Sequence, residues 1–486
     1  MKKRIKCDLG SAYPHMAIAF CLDPSNYITH EDMPPHCFPS MELVADGINQ
    51  GYDFWCKTPW GQYCVENNII PIPVTFRQNI EELKKIKEYK DCDFKDVVPL
   101  RGIFYFKQNS NAILCKAFEA PMNWKQQMKN NLKNTPETDP NKKVLEQEYD
   151  ASKRFVNSGF GISGNKYNRL FKLETFNSIT FLVRDLLLYL IPKIKAQGND
   201  IIFIDTDSFV VEADDESIVK TLNGWIQDWA RDKYGNEKVK TRFEYEGYFK
   251  SLYVGGKCRY MGYLVNPKGE TKEEIKGLEI KRKNATKFQK DEQKALFKFL
   301  LDGHSFDEII FYIEAWIKRI YEKPLSEIGF PRKLKQPRDK YKKKMNFFDA
   351  LDNAQKKFGK FEKDIGEKFW YIFIKDQMEI VAFDEKTEAL IKKEEIDYKT
   401  LIEKQIFNIL VPVFSGLNWG KELCTLAEKY GILLESTHRN TLLEEYENFS
   451  DLKKTFGASE FNKRVNPKPP KEKKPKKIKT LTKVSS

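Results

Sequence analysis

Two groups of aspartates, with a lysine-bearing segment between them, carry the chemistry legible in this chain. Asp8 opens the string DLGSAYPH at 8–15, Asp205 and Asp207 lie in IDTDS at 204–208, and KRFVNSGFG spans 153–161. Carboxylates at two separated sites can hold divalent cations against a triphosphate. A cationic segment beside them can neutralise charge that develops on a departing pyrophosphate. The combination points to phosphoryl transfer. Alone, an Asp-x-Asp pair is more often a solvated turn and a single lysine more often a surface residue. Specificity comes from three strings in order.

The elements that must position these groups can be read in part. Lys3 to Leu9 reads as a strand carrying Asp8, and DIIFIDTDSFVVE at 200–212 reads as two apolar strands with their acids at the tip. Lys153 and Asn157 are four apart, hence on one helix face, and a long helix is predicted over Lys142–Val156 after Pro140. A partner helix is expected over Phe76–Lys90, with Ile80, Leu83 and Ile86 on one face. Between the two, residues 91–140 read as a less regular block ending in the polar run NNLKNTPETDPNKK. Residues 24–39 read as loop, and Trp55–Glu66 as a hairpin turning at Pro59-Trp60-Gly61. An apolar helix over Ser178–Lys193 is interrupted by Arg184 and Asp185, too short and too charged to span a bilayer, and reads as packed under a sheet. A helix over Glu216–Tyr234 and strands over Arg242–Phe249 and Arg259–Val265 follow. From Lys290 the pattern is mostly helical, broken by a strand pair in FWYIFI and MEIVAF, with helices again over Thr400–Tyr446.

At 486 residues the chain exceeds what one core usually serves, and 41% apolar residues with 13% aromatics suffice for several. The net charge is +13, but residues 463–486 hold ten Lys or Arg and one acid, Glu472, and so account for +9 of it. That Pro/Lys end cannot bury a core and is expected to be disordered. The body is nearly balanced, so composition alone does not announce a nucleic-acid binder. Nine cysteines form no C-x-x-C pair, which fits reduced thiols in a cytoplasm. His36, Cys37, Cys56 and Cys64 are too irregularly spaced for a zinc site and read as ordinary thiols and a histidine.

All three strings resemble signatures of the family B DNA polymerases, D-x-x-S-L-Y-P-S, K-x-x-x-N-S-x-Y-G and Y-G-D-T-D-S. The resemblance is firm to about residue 290, weaker from 290 to 450 and absent beyond. It implies an α+β fold shaped as a right-hand polymerase, with an antiparallel-sheet palm, two-helix fingers and a mostly helical thumb. The matching boundaries are palm at 1–76 and 161–290, fingers at 77–160, thumb at 291–460 and a basic tail at 461–486.

The resemblance also implies roles. Asp8, Asp207 and the Leu9 carbonyl match ligands of two Mg²⁺ ions, with Asp205 beside them in a more variable role. Ser11 and Ala12 match positions whose amides meet the triphosphate of a dNTP, and Ala12 stands where Leu is common. Tyr13 matches a steric gate lying under the sugar. Lys153 and Asn157 match groups on the nucleotide side, and Phe160 replaces a tyrosine whose hydroxyl is lost. Arg77 is the best match to a fingers arginine, with Lys84 or Lys85 as its partner. KCRY at 257–260 resembles K-K-R-Y, which follows the primer's minor groove; Lys257, Arg259 and Tyr260 match, and Cys258 departs. GLEIKR offers Lys281 and Arg282 to backbone phosphate, and Lys340 and Tyr341 resemble a duplex-binding segment of the thumb.

Primer–template DNA and dNTPs are therefore the expected partners. Family members carry N-terminal and exonuclease domains before the palm, whereas Asp8 here is seven residues from Met1. The expectation is the polymerase half of a split or truncated enzyme, tailed-phage-like, without its own 3′→5′ exonuclease. A separate exonuclease polypeptide and a sliding clamp are the further expected partners, in the cytoplasm of a bacterial host if the origin is phage. The competing readings are a low-fidelity or primer-independent polymerase, and an inactive polymerase-like DNA-binding scaffold.

Overall fold

The computed structural model describes residues 2–434 except positions 30, 36, 77–99, 166, 256–257, 342–343, 376–378, 418 and 433. The helix expected over Phe76–Lys90, with Arg77, Lys84 and Lys85, therefore falls almost wholly outside the described residues, as do Lys257 and the basic tail. The chain divides into two compact units, residues 1–250 with 265–271, and residues 251–264 with 272–486.

In the first unit, strand β1 (Lys3–Leu9) leads into helix α1 (Ala12–Ala19), and a two-residue strand β2 (Tyr27–Ile28) follows. Helices α2 (Met41–Gln50), α3 (Tyr52–Trp55) and α4 (Pro59–Glu66) precede strands β3 (Ile69–Phe76) and β4 (Leu100–Lys107). Two long helices, α5 (Ile113–Asn134) and α6 (Lys142–Ser163), are followed by α7 (Leu173–Ala196). Hairpin β5 (Asp200–Asp205) and β6 (Ser208–Ala213), helix α8 (Ser217–Tyr234) and strand β7 (Phe243–Val254) complete the series.

β1 lies between β6 and β7, antiparallel to both, with Asp8 opposite Ser208 on one side and Glu244 on the other. Alternation sorts its side chains. Ile5, Cys7 and Leu9 are fully buried, so Lys6 and Asp8 occupy the opposite face. The buried face packs with Ile179, Leu182, Leu186 and Leu190 of α7 and with Leu222, Ile226 and Trp229 of α8. Helix α7 is thus the expected helix under a sheet, extended at both ends. A second sheet has the order β2-β4-β3, which leaves β3 at an edge where Pro71 and Pro73 need donate nothing.

Three expectations are corrected. Trp55–Glu66 is helical rather than a hairpin. Thr58 caps α4, its hydroxyl accepting from the Gly61 N–H at 3.1 Å, and Pro59 takes the first helical position. Gly61 is needed for contact rather than for a turn: a Cβ there would sit 1.8 Å from the Trp55 carbonyl oxygen. Next, the block 91–140 is not irregular beyond residue 99, since it holds β4 and all of α5. The helix packed beside α6 is α5, and the polar run reduces to a connection over Thr135–Asn141. Third, α6 runs to Ser163, so the whole KRFVNSGFG string is helical. Finally, α5 lacks a local cap at Ala112, and its Leu114 N–H is satisfied by the buried Asp23, 91 residues earlier, at 2.6 Å.

The second unit takes over within β7 at Ser251. Strand β8 (Tyr260–Val265) follows, and β9 (Thr271–Lys276) leads to helices α9 (Lys287–Leu301) and α10 (Phe306–Arg319), both opened by capping boxes. Helix α11 (Leu325–Ile328), strand β10 (Phe330–Lys333), helix α12 (Asn346–Phe358) and strands β11 (Lys368–Phe373) and β12 (Ile380–Phe383) come next. The expected strand pair is thus a three-stranded sheet, ordered β10-β11-β12. Helix α13 (Tyr398–Ile402) passes through a π-helical turn, Glu403–Phe407, into α14 (Asn408–Gly416), and α15 (Gly420–Lys429) follows. The buried Gln405 accepts from the Thr286 hydroxyl at 2.7 Å and donates to the Ile328 carbonyl, which ties that turn to α9 and α11.

Candidate active site

The acids meet at one end of the β5-β6-β1-β7 array. Thr206 and Asp207 form the two-residue turn between Asp205 and Ser208, which pair across the hairpin. Thr206 adopts φ +64, a left-handed conformation that a β-branched residue rarely takes. Such strain costs on the order of 1–3 kcal/mol and collects at functional turns. Asp207 reaches β1 through its backbone, its carbonyl accepting from the Leu9 N–H at 2.9 Å, which sets the turn beside Asp8. Asp205 is 4% exposed, whereas Asp8 and Asp207 are half-buried.

Electrostatics there is unfavourable for the protein alone. The Asp8 carboxyl is pushed up to about 7, first by burial and then by the charges of Asp207 and Glu246, against the pull of Lys153 and Lys6. Among the described residues, no hydrogen bond reaches the Asp8 carboxylate. Glu246 is itself paired with Lys6 at 2.8 Å. Crowded carboxylates of this kind fit a divalent cation, which would relieve their repulsion, and a donor set made only of oxygen suits Mg²⁺. No group of three or more His, Cys, Asp or Glu gathers in metal-binding geometry among the described residues. Asp8 and Asp207 with the Leu9 carbonyl are the residues that could hold such an ion.

Opposite the acids stand α1, α5 and α6. Helix α1 starts at the acid end of β1, with Ser11 at its N-cap in a left-handed conformation, φ 50. Its first amides lack intrahelical acceptors and form a ready anion site. Ala12 is buried and Ser11 half-buried. Lys125 of α5 donates to the Ser11 hydroxyl at 2.6 Å, and one helical turn on, Lys129 pairs with Glu244. Burial lowers the Lys125 ammonium, with the neighbouring Lys153 and Lys129 pushing the same way and Glu244 and Asp8 opposing. Lys153 and Asn157 are exposed on α6. Tyr13 lies stacked on Phe160, ring centroids 4.4 Å apart and planes 15° apart.

The structure thus gathers Asp8, Leu9, Ser11, Ala12, Tyr13, Lys153, Phe160, Asp205 and Asp207 in one unit. Lys125, Lys129, Glu244 and Glu246 escaped the sequence reading. Their signals existed: Lys125 and Lys129 are four apart, and Glu244 and Glu246 are two apart on one face of a strand. Arg77 lies outside the described residues.

In the second unit, Gly277 of the GLEIKR string lies against Cys258 and Arg259 of the KCRY string. Gly277 has φ +68, and a Cβ on it would sit 1.9 Å from the Cys258 carbonyl oxygen. Lys281 and Arg282 are exposed at the end of a short 3₁₀ turn, with Arg282 paired to Glu279 at 3.2 Å. The turn is held by the buried Gln293, which accepts from the Ile280 N–H at 3.0 Å. Arg259 is half-buried, whereas Tyr260 is 4% exposed and donates to Glu274 at 2.6 Å. Lys340 is exposed, and Tyr341 packs on Phe347 and Phe348 while its hydroxyl accepts from the Lys335 N–H. Among the described residues no helix is long and apolar enough to cross a membrane.

The sequence pattern of DNA polymerase family B matches residues 63–417. That span contains Lys153, Asp205 and Asp207 and begins downstream of Asp8. DNA polymerase 2 of Aeropyrum pernix is 22% identical over 303 residues, 62% of this chain and 36% of that protein. The DNA polymerase alpha catalytic subunit of Xenopus laevis is 25% identical over 206 residues, 41% of this chain and 13% of that protein. DNA polymerase II of Escherichia coli is 24% identical over 211 residues, 40% of this chain and 26% of that protein. The chain spans little more than a third of the first relative's length and less of the others. The solved structure of the family B DNA polymerase from Pyrobaculum calidifontis aligns with a TM-score of 0.52 at 17% identity, covering 85% of this chain and 45% of that one. That likeness is one of fold, helices with antiparallel sheet.

Proposed function

Because this chain belongs to DNA polymerase family B, we propose that it extends a primer 3′-hydroxyl with dNTPs on a DNA template. The observation that carries this is that Asp8, crowded by Asp207, is faced by lysines from two separate helices, Lys153 of α6 and Lys125 of α5. Two Mg²⁺ ions, when bound, would acidify the primer hydroxyl and screen the triphosphate. Asp8, Asp207 and the Leu9 carbonyl would hold them, and the buried Asp205 shapes the strained turn that aims Asp207.

The free amides at the start of α1, at Ser11 and Ala12, receive phosphate oxygens. Lys125 and Lys153 balance the charge that grows on the leaving pyrophosphate, and Asn157 contacts the nucleotide from the same face as Lys153. Tyr13 lies under the sugar and excludes a 2′-hydroxyl. In the second unit, exposed Lys281, Arg282 and Lys340, with Arg259, attract duplex phosphate. Tyr260 and Tyr341 brace the segments that carry them. On this reading the first unit is palm and fingers and most of the second is thumb.

The test is extension of a labelled primer on a defined template, with Mg²⁺ and with chelator. Templated, metal-dependent extension is expected. Duplex binding without extension under any divalent ion would leave a DNA-binding scaffold instead.

A further inference from the structure

The ring of Tyr13 does not end its stack at Phe160. Phe160 lies on α6 between two rings, with Phe176 of α7 on its far side at 4.7 Å and 18°. One near-parallel column therefore runs from α1 through α6 to α7. Gly164, one helical turn beyond Phe160, makes room for it, and Gly159 lets Phe118 of α5 close on α6. A Cβ at Gly164 would come within 2.6 Å of the Phe176 ring, and one at Gly159 within 2.9 Å of Phe118 on α5. Phe160 has no polar atom, so no hydrogen bond can fix its plane. Packing alone must do it, and the two faces of the ring are taken by Tyr13 and Phe176.

We propose that Phe176 is a specificity-determining residue for sugar choice, holding the Tyr13 ring in place through Phe160. The proposal rests on the reading of Tyr13 as the group beneath the nucleotide sugar. Rejecting a ribonucleotide means refusing space to a single oxygen atom. A tyrosine backed by one free-standing phenylalanine could slide or tilt enough to admit it. Backed by a two-ring column anchored in a third helix, it cannot yield without breaking a stacked pair. Phe176 meets Phe160 rather than Tyr13 and acts as a positioning residue.

The experiment is single-turnover incorporation of a dNTP and the matching rNTP opposite one template base, by the full chain and by Phe176→Leu and Phe176→Tyr. Leucine keeps apolar bulk and loses the ring, whereas tyrosine keeps the ring. Phe176→Leu is expected to lower the deoxy-to-ribo preference by about two- to tenfold, the factor that loss of one stacked aromatic pair represents. Phe176→Tyr should keep the original preference. In a Tyr13→Ala background, Phe176→Leu should change the preference no further, because the ring it positions is gone. Equal slowing with both nucleotides, or a full effect in the Tyr13→Ala background, would overturn the proposal. The unmutated chain run alongside separates the two ideas: no extension by it defeats the polymerase reading itself, whereas extension with an unmoved preference in Phe176→Leu defeats only the role of Phe176.

Discussion

Asp185 on α7 and Asp8 on β1 are both carboxylates half-hidden in the first unit, and their surroundings differ in kind. Asp185 accepts from the Trp229 indole at 3.0 Å, the Tyr234 hydroxyl at 3.1 Å and the Lys233 ammonium at 2.6 Å. All three donors come from α8, so this acid clamps two core helices together. Asp8 has the opposite company. Asp207 and Glu246 face it, and the compensation it has comes from the charges of Lys153 and Lys6. A protein that can supply three donors to one acid and leaves another among its own kind has reserved the second for something from outside. On the proposed reading, folding uses the first and chemistry uses the second.

The largest effects should therefore separate completely. Asp207→Asn is expected to cut extension by about a thousandfold or more, since on the proposed reading it removes a ligand of the charge-stabilising ion. Its melting temperature should hold or rise. Asp185→Ala should do the reverse, leaving Lys233, Trp229 and Tyr234 without their acceptor at a cost of about 2–4 kcal/mol. Its activity per folded molecule should stay near the original. Extension assays and thermal melts on both variants decide it, and a stable Asp185→Ala or an active Asp207→Asn would dissolve the contrast.

A second, smaller effect is in pH. With the Asp8 carboxyl held at about 7 in the folded chain, against an ordinary 3.8 when unfolded, the folded state keeps a proton that the unfolded state has lost between those values. Stability should therefore fall as pH rises from about 4 to 7 and level off above. Allowing for solvent at this half-exposed site, the loss should be roughly 2 kcal/mol. Asp8→Asn should flatten this slope in chelated, metal-free protein, gaining stability at pH 8 and little at pH 5. Mg²⁺ should stabilise the unmutated chain more at pH 8 than at pH 5, because the ligand must first lose its proton. A slope that is the same in both proteins would mean that Asp8 is not held among like charges.

The same contrast explains what could be read in the sequence. The acids were legible because their positioning is local: strand alternation puts Asp8 opposite Ile5, Cys7 and Leu9, and a two-residue turn sets Asp207. The cationic side was only half legible. Lys153 lies in a recognisable string, whereas Lys125 and Lys129 lie on a helix with Pro121 inside it and no cap at its own start. That helix exists by tertiary support, from Asp23 far upstream and from Phe118 against Gly159 of α6. The Trp55–Glu66 error had a different cause. Pro-Trp-Gly reads as a turn, although Thr58-Pro59 is equally a cap followed by a first-turn proline. Glu244 and Glu246 were visible as alternating acids, but only the register of β7 against β1 gives them meaning.

Asp23 tests whether the two kinds of carboxylate are as separate as Asp185 and Asp8 suggest. It is 2% exposed and fully engaged, accepting from the Ser25 amide and hydroxyl with one oxygen and from the Leu114 N–H with the other. By those partners it belongs with Asp185. Yet the N–H it satisfies opens the helix that carries Lys125 to the Ser11 hydroxyl. Asp23→Ala should cost about 1–2 kcal/mol, as loss of a capping side chain does. Lys125 is about three turns along from the cap, and fraying fades within the first turn or so of a helix end. The dNTP KM should thus rise only slightly, by about two- to threefold if Lys125 loses a few tenths of a kcal/mol of its interaction, and kcat should stay nearly constant. Melting and steady-state kinetics on the one variant read both numbers. An unchanged melting temperature would mean that α5 does not depend on this cap. A collapse of kcat would place Asp23 with the acids that serve the chemistry, and the division between holding and reacting carboxylates would have to be drawn elsewhere.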